Sequence, residues 1–461
     1  MLSDKFRKLS ISTRIAFSFA LVIFIGSLLL SLPISTAATS QNTYFDNLFT
    51  AVSLTSVTGL ATTSVAESYT IFGQVISIIL MQIGGLGLMT IIATILIRFG
   101  KKISYTDAMA VKEALNRDKL GDFKTYVLSI FKYTLVIEGV GMFLLSFRFV
   151  PDFGWAKGLF TSLFLAVSGF CNAGFDNMGA VSLQNYVQDP LVNFVIATLI
   201  ILGGIGFSVW FDVTSNMYSV IKNKKKLGFK KMYRLLRPHT RLAVNVSSIL
   251  LLTGTIMFMA VEWNNTSSIG NYTIPQKVMV SFFQSVTMRT AGFATIDYAT
   301  VLPFSLLFSI FLMFIGGSPG GTAGGIKTTT FALVILLVIN EIRGQNSINY
   351  ASHSIPVETI RRAIVVVFTF FACLMTGFSI LLIVEEQSFI MLLFEAVSAL
   401  GTVGISANLT PELSRIGQTV LMVFMFIGRI GPITIFLSLV RRKRKGKGKE
   451  RVYAKTNILI G

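Results

Sequence analysis

Apolar residues run along this chain in stretches of two lengths, separated by polar segments rich in lysine and arginine. Eight stretches are near or above the ~20 residues a helix needs to cross a bilayer: 15–32, 72–97, 127–147, 191–211, 242–261, a long one over 301–339, 363–384 and 417–440. Between the members of each pair lies a shorter run, at 45–54, 156–169, 276–287 and 388–400. About 10 to 14 apolar residues make a re-entrant or pore helix rather than a span. The pattern predicts an all-α polytopic membrane protein in which helix, half-helix, loop and helix recur four times, over residues 1–118, 119–240, 241–355 and 356–461. An even number of spans per unit gives every unit the same orientation, whereas an inverted-repeat architecture needs odd-numbered units.

The polar punctuation repeats as well. Each short run ends in a related octapeptide: SLTSVTGL (53–60), SGFCNAGF (168–175), VTMRTAGF (286–293) and SALGTVGI (398–405). Their glycines Gly59, Gly174, Gly292 and Gly404 recur at a nearly constant interval. A second series, QIGGLGLMT (82–90), ILGGIGFSV (201–209), FIGGSPGGT (314–322) and FIGRIGPIT (426–434), aligns on Gly84, Gly203, Gly316 and Gly428 and keeps the same interval. Two motif series with one period argue for a true internal repeat. Tight helix packing explains the second series but not the first, which sits at half-helix ends.

Same-way-up units arranged around an axis give eight transmembrane helices, four pore helices and a pseudo-fourfold central pore. The strips meeting there are Val57-Thr58-Gly59-Leu60, Asn172-Ala173-Gly174-Phe175, Thr290-Ala291-Gly292-Phe293 and Thr402-Val403-Gly404-Ile405. A cation leaving water needs replacement dipoles, and glycine relaxes the steric limit on backbone that turns successive carbonyls inward. Half-helices ending there present their partial-negative termini. The expected ion contacts are Thr58, Gly59, Ala173, Gly174, Ala291, Gly292, Val403 and Gly404.

Composition agrees with a membrane protein: 53% of residues are hydrophobic and only 13% charged, against about a quarter charged in soluble domains. The net charge of +19 is concentrated: 33 of 40 lysines and arginines fall in 1–14, 98–132, 222–241, 343–362 and 441–455. Alternate loops carry few, which is the positive-inside pattern. It puts both termini and the basic loops in the cytoplasm and the strips near the outer face. The run RRKRKGKGKE (441–450) reads as an anchor on anionic lipid rather than a nucleic-acid site. Cys171 and Cys373 lie in apolar segments, and His239 and His353 stand alone, which argues against a disulfide framework or metal cluster. SLPISTAATS after the first apolar run imitates a cleavage region, but that run matches the later first helices and is read as a retained span.

These residues resemble the membrane subunits of bacterial Ktr potassium-uptake systems (KtrB/KtrD), within the Trk/Ktr/HKT superfamily. The likeness covers nearly the whole chain and is densest at LPIST (32–36), VTGL (57–60), QIGGLG (82–87), NAGF (172–175), GGIGF (203–207), RTAGF (289–293), GTVG (401–404), LTPEL (409–413) and MFIGRIGP (425–432). The resemblance implies sodium-dependent potassium uptake across the plasma membrane by a homodimer, with K+ as cargo, Na+ as activator and no organic cofactor in this chain. It also implies a cytosolic nucleotide-binding ring of RCK/KTN type as gating partner. Related subunits with serine at the first strip are sodium-preferring, so Gly59 implies potassium selectivity. One glycine per strip, in place of a longer TVGYG, implies looser selectivity than in tetrameric channels.

The third unit departs from the others. Its second apolar stretch contains Gly316, Gly317, Ser318, Pro319, Gly320, Gly321, Thr322, Ala323, Gly324 and Gly325, followed by Ile326 and Lys327. So many glycines and a proline in close succession argue against an unbroken helix. Irregular backbone at membrane depth belongs where it lines a cavity, so 316–327 is expected to be an intramembrane loop obstructing the pore. The resemblance gives it a gating role. Ile326 before Lys327 breaks the phosphate-loop pattern G-x-x-x-x-G-K-[ST]. Arg429 stands where the other units have Gly85, Gly204 and Gly317, and a guanidinium there is expected to line the pore and donate to loop carbonyls. Asp46 is expected to cap the first half-helix, Glu138 to pair with a polar neighbour or line a proton path, and Glu395 and Arg289 to buttress the strips. The sequence holds no enzymatic constellation. A Trk-type symporter coupled to H+ or Na+, and a non-conducting scaffold or enzyme, are the rival readings.

Overall fold

The computed structural model describes residues 10–87, 90–91, 123–179, 181–222, 228–345, 347–432 and 434–435. The basic tail and much of the first basic loop lie outside the described residues.

Polar caps start several of the helices that the apolar pattern predicts. In the first unit, Ser10 caps α1 (Ile11–Leu30) and Thr43 opens the half-helix α2 (Tyr44–Ser56) with a reciprocal capping box to Asp46; Thr70 caps α3 (Ile71–Leu86). Such hydroxyl and carboxylate acceptors satisfy the first amide groups of a helix, which have no partner within it. The second unit has α4 (Phe123–Phe153), half-helix α5 (Trp155–Cys171), α6 (Pro190–Gly204) capped by Asp189, then α7 (Phe207–Lys222) and the short α8 (Phe229–Leu235). The third has α9 (Pro238–Glu262), half-helix α10 (Ile274–Thr287), α11 (Pro303–Phe314) and α12 (Thr328–Ile342), then a small hairpin pairing Asn349–Tyr350 with His353–Ser354. The fourth has α13 (Val357–Val384), half-helix α14 (Phe389–Gly401) and α15 (Arg415–Ile430).

The first helix of every unit is long and apolar enough to span a bilayer. These helices turn Phe24, Phe143, Leu252 and Phe368 outward, and apolar faces of this kind suit lipid as well as protein. The half-helices form the interior, with Phe49, Phe164, Phe170, Phe283 and Phe394 all buried. Each second helix packs on the half-helix of the next unit: α3 on α5, α6 on α10, α11 on α14, and α15 back on α2. The ring of four is thereby closed.

The expectation of one broken second helix understates the structure. All four stop at the aligned glycine motif. Gly87, Gly206 and Gly431 lie in the positive-φ region, with φ reaching 97° at Gly206, a backbone that side chains rarely adopt. The stretch 191–211, expected as one span, bends by 95° between α6 and α7. In the third unit the corresponding position is Pro319, and the chain leaves the helix over 315–327.

Candidate ion pathway

Each half-helix ends by turning its chain into a strip of alternating handedness. Val57, Asn172, Thr290 and Thr402 have φ values of +57°, +58°, +64° and +52°, and two residues later Gly59, Gly174, Gly292 and Gly404 have +106°, +70°, +82° and +92°. In three units the amide after the left-handed residue reaches back five positions: Thr58 N to Ser53 O at 2.9 Å, Ala173 N to Ser168 O and Val403 N to Ser398 O at 2.8 Å. This is a Schellman-type ending, which satisfies the helix's last carbonyls while releasing the chain in a fixed direction. The third unit differs, since Ala291 N donates to Thr287 O at 3.0 Å. The Oγ of Ser53 and of Ser398 each accepts from the strip glycine, Gly59 N and Gly404 N, at 3.1 Å.

The four glycines meet in cyclic order. A Cβ on Gly59 would stand 2.8 Å from Ala173 O, one on Gly174 2.6 Å from Ala291 O, and one on Gly292 2.6 Å from Val403 O. A Cβ on Gly404 would collide with Thr58 O, closing the circle. Carbonyls of Thr58, Ala173, Ala291 and Val403 therefore sit one per unit around a common centre, each beside a neighbouring glycine. Preorganised carbonyl rings of this sort can replace a cation's hydration shell. The residues brought together here are Thr58, Gly59, Ala173, Gly174, Ala291, Gly292, Val403 and Gly404.

The irregular segment 315–327 packs directly beneath. Ser318 N donates to Gly204 O at 2.8 Å, Thr322 N to Gly203 O at 3.2 Å, and Phe207 N to Gly320 O at 2.9 Å. The Thr322 hydroxyl donates to Phe170 O at 3.0 Å and bonds Asn172 Oδ1 at 2.9 Å, so the loop touches the end of the second half-helix. Lys327 Nζ turns back onto Ala323 O at 2.6 Å. Arg429 donates from Nη1 to Thr322 O and from Nη2 to Gly84 O and, at 3.0 Å, to Gly85 O. One guanidinium from the fourth unit thus ties the loop of the third to the helix end of the first. A half-buried cation satisfied by backbone carbonyls also adds positive charge beneath the ring.

The carboxylates have separate duties. Asp46 Oδ2 accepts from Thr43 N at 3.0 Å, and Asp46 Oδ1 accepts from Arg415 Nη1 at 2.6 Å, joining units one and four at the half-helix start. Burial alone raises this carboxyl, but the Arg415 and Thr43 bonds outweigh it and hold it below its ordinary value. Glu395 sits behind the fourth strip, accepting from Ser406 Oγ at 2.5 Å, Ala407 N at 3.1 Å and Thr410 Oγ1 at 2.7 Å. Glu138 takes Gln82 Nε2 at 2.6 Å. Arg289 faces α9 and the start of the loop rather than its own strip, with Nη2 3.1 Å from Ser247 Oγ and 3.5 Å from Gly316 O.

Sequence reasoning missed the seat of the loop: Gly203, Gly204 and Phe207 offer it backbone partners. The signal lay in the alignment of Gly206 with Pro319, which puts two breaks at one depth. Among the described residues no group of three or more metal-ligating side chains occurs.

The model of the TrkH family, described as cation transport protein, matches residues 6–447. The Ktr system potassium uptake protein B of Bacillus subtilis is 40% identical over 93% of each chain. The potassium/sodium uptake protein NtpJ of Enterococcus hirae is 35% identical over 99% of this chain and 98% of its own. The crystal structure of the potassium transporter TrkH from Vibrio parahaemolyticus shares the fold, with a TM-score of 0.65 at 19% identity over 92% of this chain and 85% of that one. Sequence relatives, shared fold and internal repeat agree: the chain belongs to the TrkH family of cation transport proteins.

Proposed function

We propose that this chain is the potassium-translocating subunit of a Ktr-type uptake system, passing K+ through the four-glycine ring and gated by the loop 316–327. The observation that carries the reading is the cyclic approach of Gly59, Gly174, Gly292 and Gly404, each against a neighbour's carbonyl. The names of the relatives support potassium as cargo, and that of NtpJ supports a part for sodium. The Ktr relatives are components of a named system, which supports a separate regulatory subunit, here taken as a nucleotide-binding ring beneath a homodimer. The charge pattern supports a plasma-membrane protein with cytoplasmic termini and anionic lipid on its basic loops. The four units divide at 118, 240 and 355.

Radiotracer potassium uptake into proteoliposomes, with and without sodium and with and without a pH gradient, tests this. Uptake that needs no pH gradient, rises with sodium and disappears in Gly292→Ser is expected. Uptake unaffected by that substitution would sink the ring as the conducting site, and strict dependence on a proton gradient would favour a Trk-type symporter.

A further inference from the structure

The 95° corner of the second unit has a consequence for what the membrane itself can do to the loop. With α6 running along a membrane span, α7 turns across it, starting at the loop and carrying its far end toward the basic residues of α8, which belong at headgroup level. Near its start α7 packs inward through Phe207, Val209 and Asp212. Toward its end Met217, Tyr218 and Ile221 are 43%, 68% and 70% exposed. Ile221 follows Met217 by four residues and Tyr218 by three, so the three form one apolar stripe. Beside them Lys222, and on α8 Lys230, Lys231 and Arg234, are exposed or half-exposed. Arg237, just past α8, is pinned to α7 by its amide on Asp212 Oδ2 at 2.9 Å. An exposed apolar stripe flanked by cations, on a helix lying across the span direction, is the signature of an interfacial helix.

The same helix begins at the loop's seat. Phe207 N, in its first turn, holds Gly320 O, and Gly203 and Gly204 immediately before it hold Thr322 N and Ser318 N. Trp210 Nε1 folds back to Leu202 O at 2.9 Å, which stiffens the corner. A Cβ on Gly206 would stand 2.6 Å from Pro319 O, so corner and loop have no slack between them.

We propose that α7 and α8 form a lever that docks on anionic phospholipid headgroups and, while docked, holds the intramembrane loop in its obstructing seat. The proposal rests on the orientation and loop role given under Proposed function. The stripe sinks among the acyl chains and the basic side chains take the headgroup phosphates. A fixed α7 fixes the corner, and a fixed corner keeps the loop's three backbone bonds. Lipid charge therefore lowers basal flux.

The full chain carrying Ile221→Cys, labelled with an environment-sensitive fluorophore, is reconstituted in vesicles of phosphatidylcholine with or without phosphatidylglycerol, either lipid brominated as quencher. The unsubstituted chain, labelled in parallel, corrects for Cys171 and Cys373. Brominated phosphatidylglycerol is expected to quench more than brominated phosphatidylcholine. Lys230→Gln, Lys231→Gln and Arg234→Gln should weaken that preference by about fivefold per charge. Potassium flux should fall as the phosphatidylglycerol fraction rises, and the triple variant should lose that fall. Quenching equal for both lipids, or absent as on a face reserved for a protein, overturns the proposal. So does a triple variant that alters flux equally in both vesicles. A wild type that conducts in neither composition counts against the conduction reading instead, and the quenching then decides this one.

Discussion

Gly404 shows how little freedom a strip residue has. Its backbone lies in the positive-φ region, and a methyl group there would strike Thr58 O. The φ alone costs any side chain strain of about 1–3 kcal/mol. Gly404→Ala must push the fourth strip off the ring, and at least a tenfold fall in potassium uptake is expected with the protein still extractable as a folded species. Uptake within twofold of wild type would mean the ring is not the path. Arg429 acts in the opposite sense. It binds Thr322 O, Gly84 O and Gly85 O together, so Arg429→Ala frees the loop and removes a positive charge beneath the ring. Basal flux should rise several-fold, read in vesicles without a regulatory subunit; unchanged flux would make the guanidinium a packing element alone.

At the scale of elements, the first half-helix, α2, is held at its start as well as at its end. Thr43→Ala removes one side of the capping box on α2. Loss of such a cap costs about 1 kcal/mol. Asp46 gives that start a pH dependence. Its folded carboxyl titrates below its ordinary value, so the ionised form favours the folded state. Its stabilisation is complete above the unfolded pKa and drains away as pH falls through the folded one. Asp46→Asn should flatten the loss of thermal stability on acidification below about pH 4, measured against wild type in detergent. An unchanged acid limb would place the sensitive group elsewhere. The half-helices and their strips are legible in the sequence because length and glycine period report them together. The corner at Gly206 is not, because Gly206 reads like Gly87 and Gly431, and its contact Pro319 is far away in sequence and known only once the units are folded together. The partners of Glu138 and Arg289 were hidden for the same reason: Gln82 and Ser247 come from other helices.

For the whole molecule, closure depends on the pairing of α15 with α2, reinforced outside by Arg415 on Asp46. A chain ending before α15 should lose uptake entirely and melt well below wild type, because α2 would lose the neighbour that buries it; retained uptake would show that three units suffice. The order of synthesis gives this pairing a further meaning. The wall that completes the aperture belongs to α15, which leaves the ribosome after every other helix named above, and Arg429 travels on it. A nascent chain with three units inserted has no finished ring of oxygens and no guanidinium bolt. If the ring conducts and the loop gates it, as proposed, selectivity and its restraint are born in one event, late in assembly.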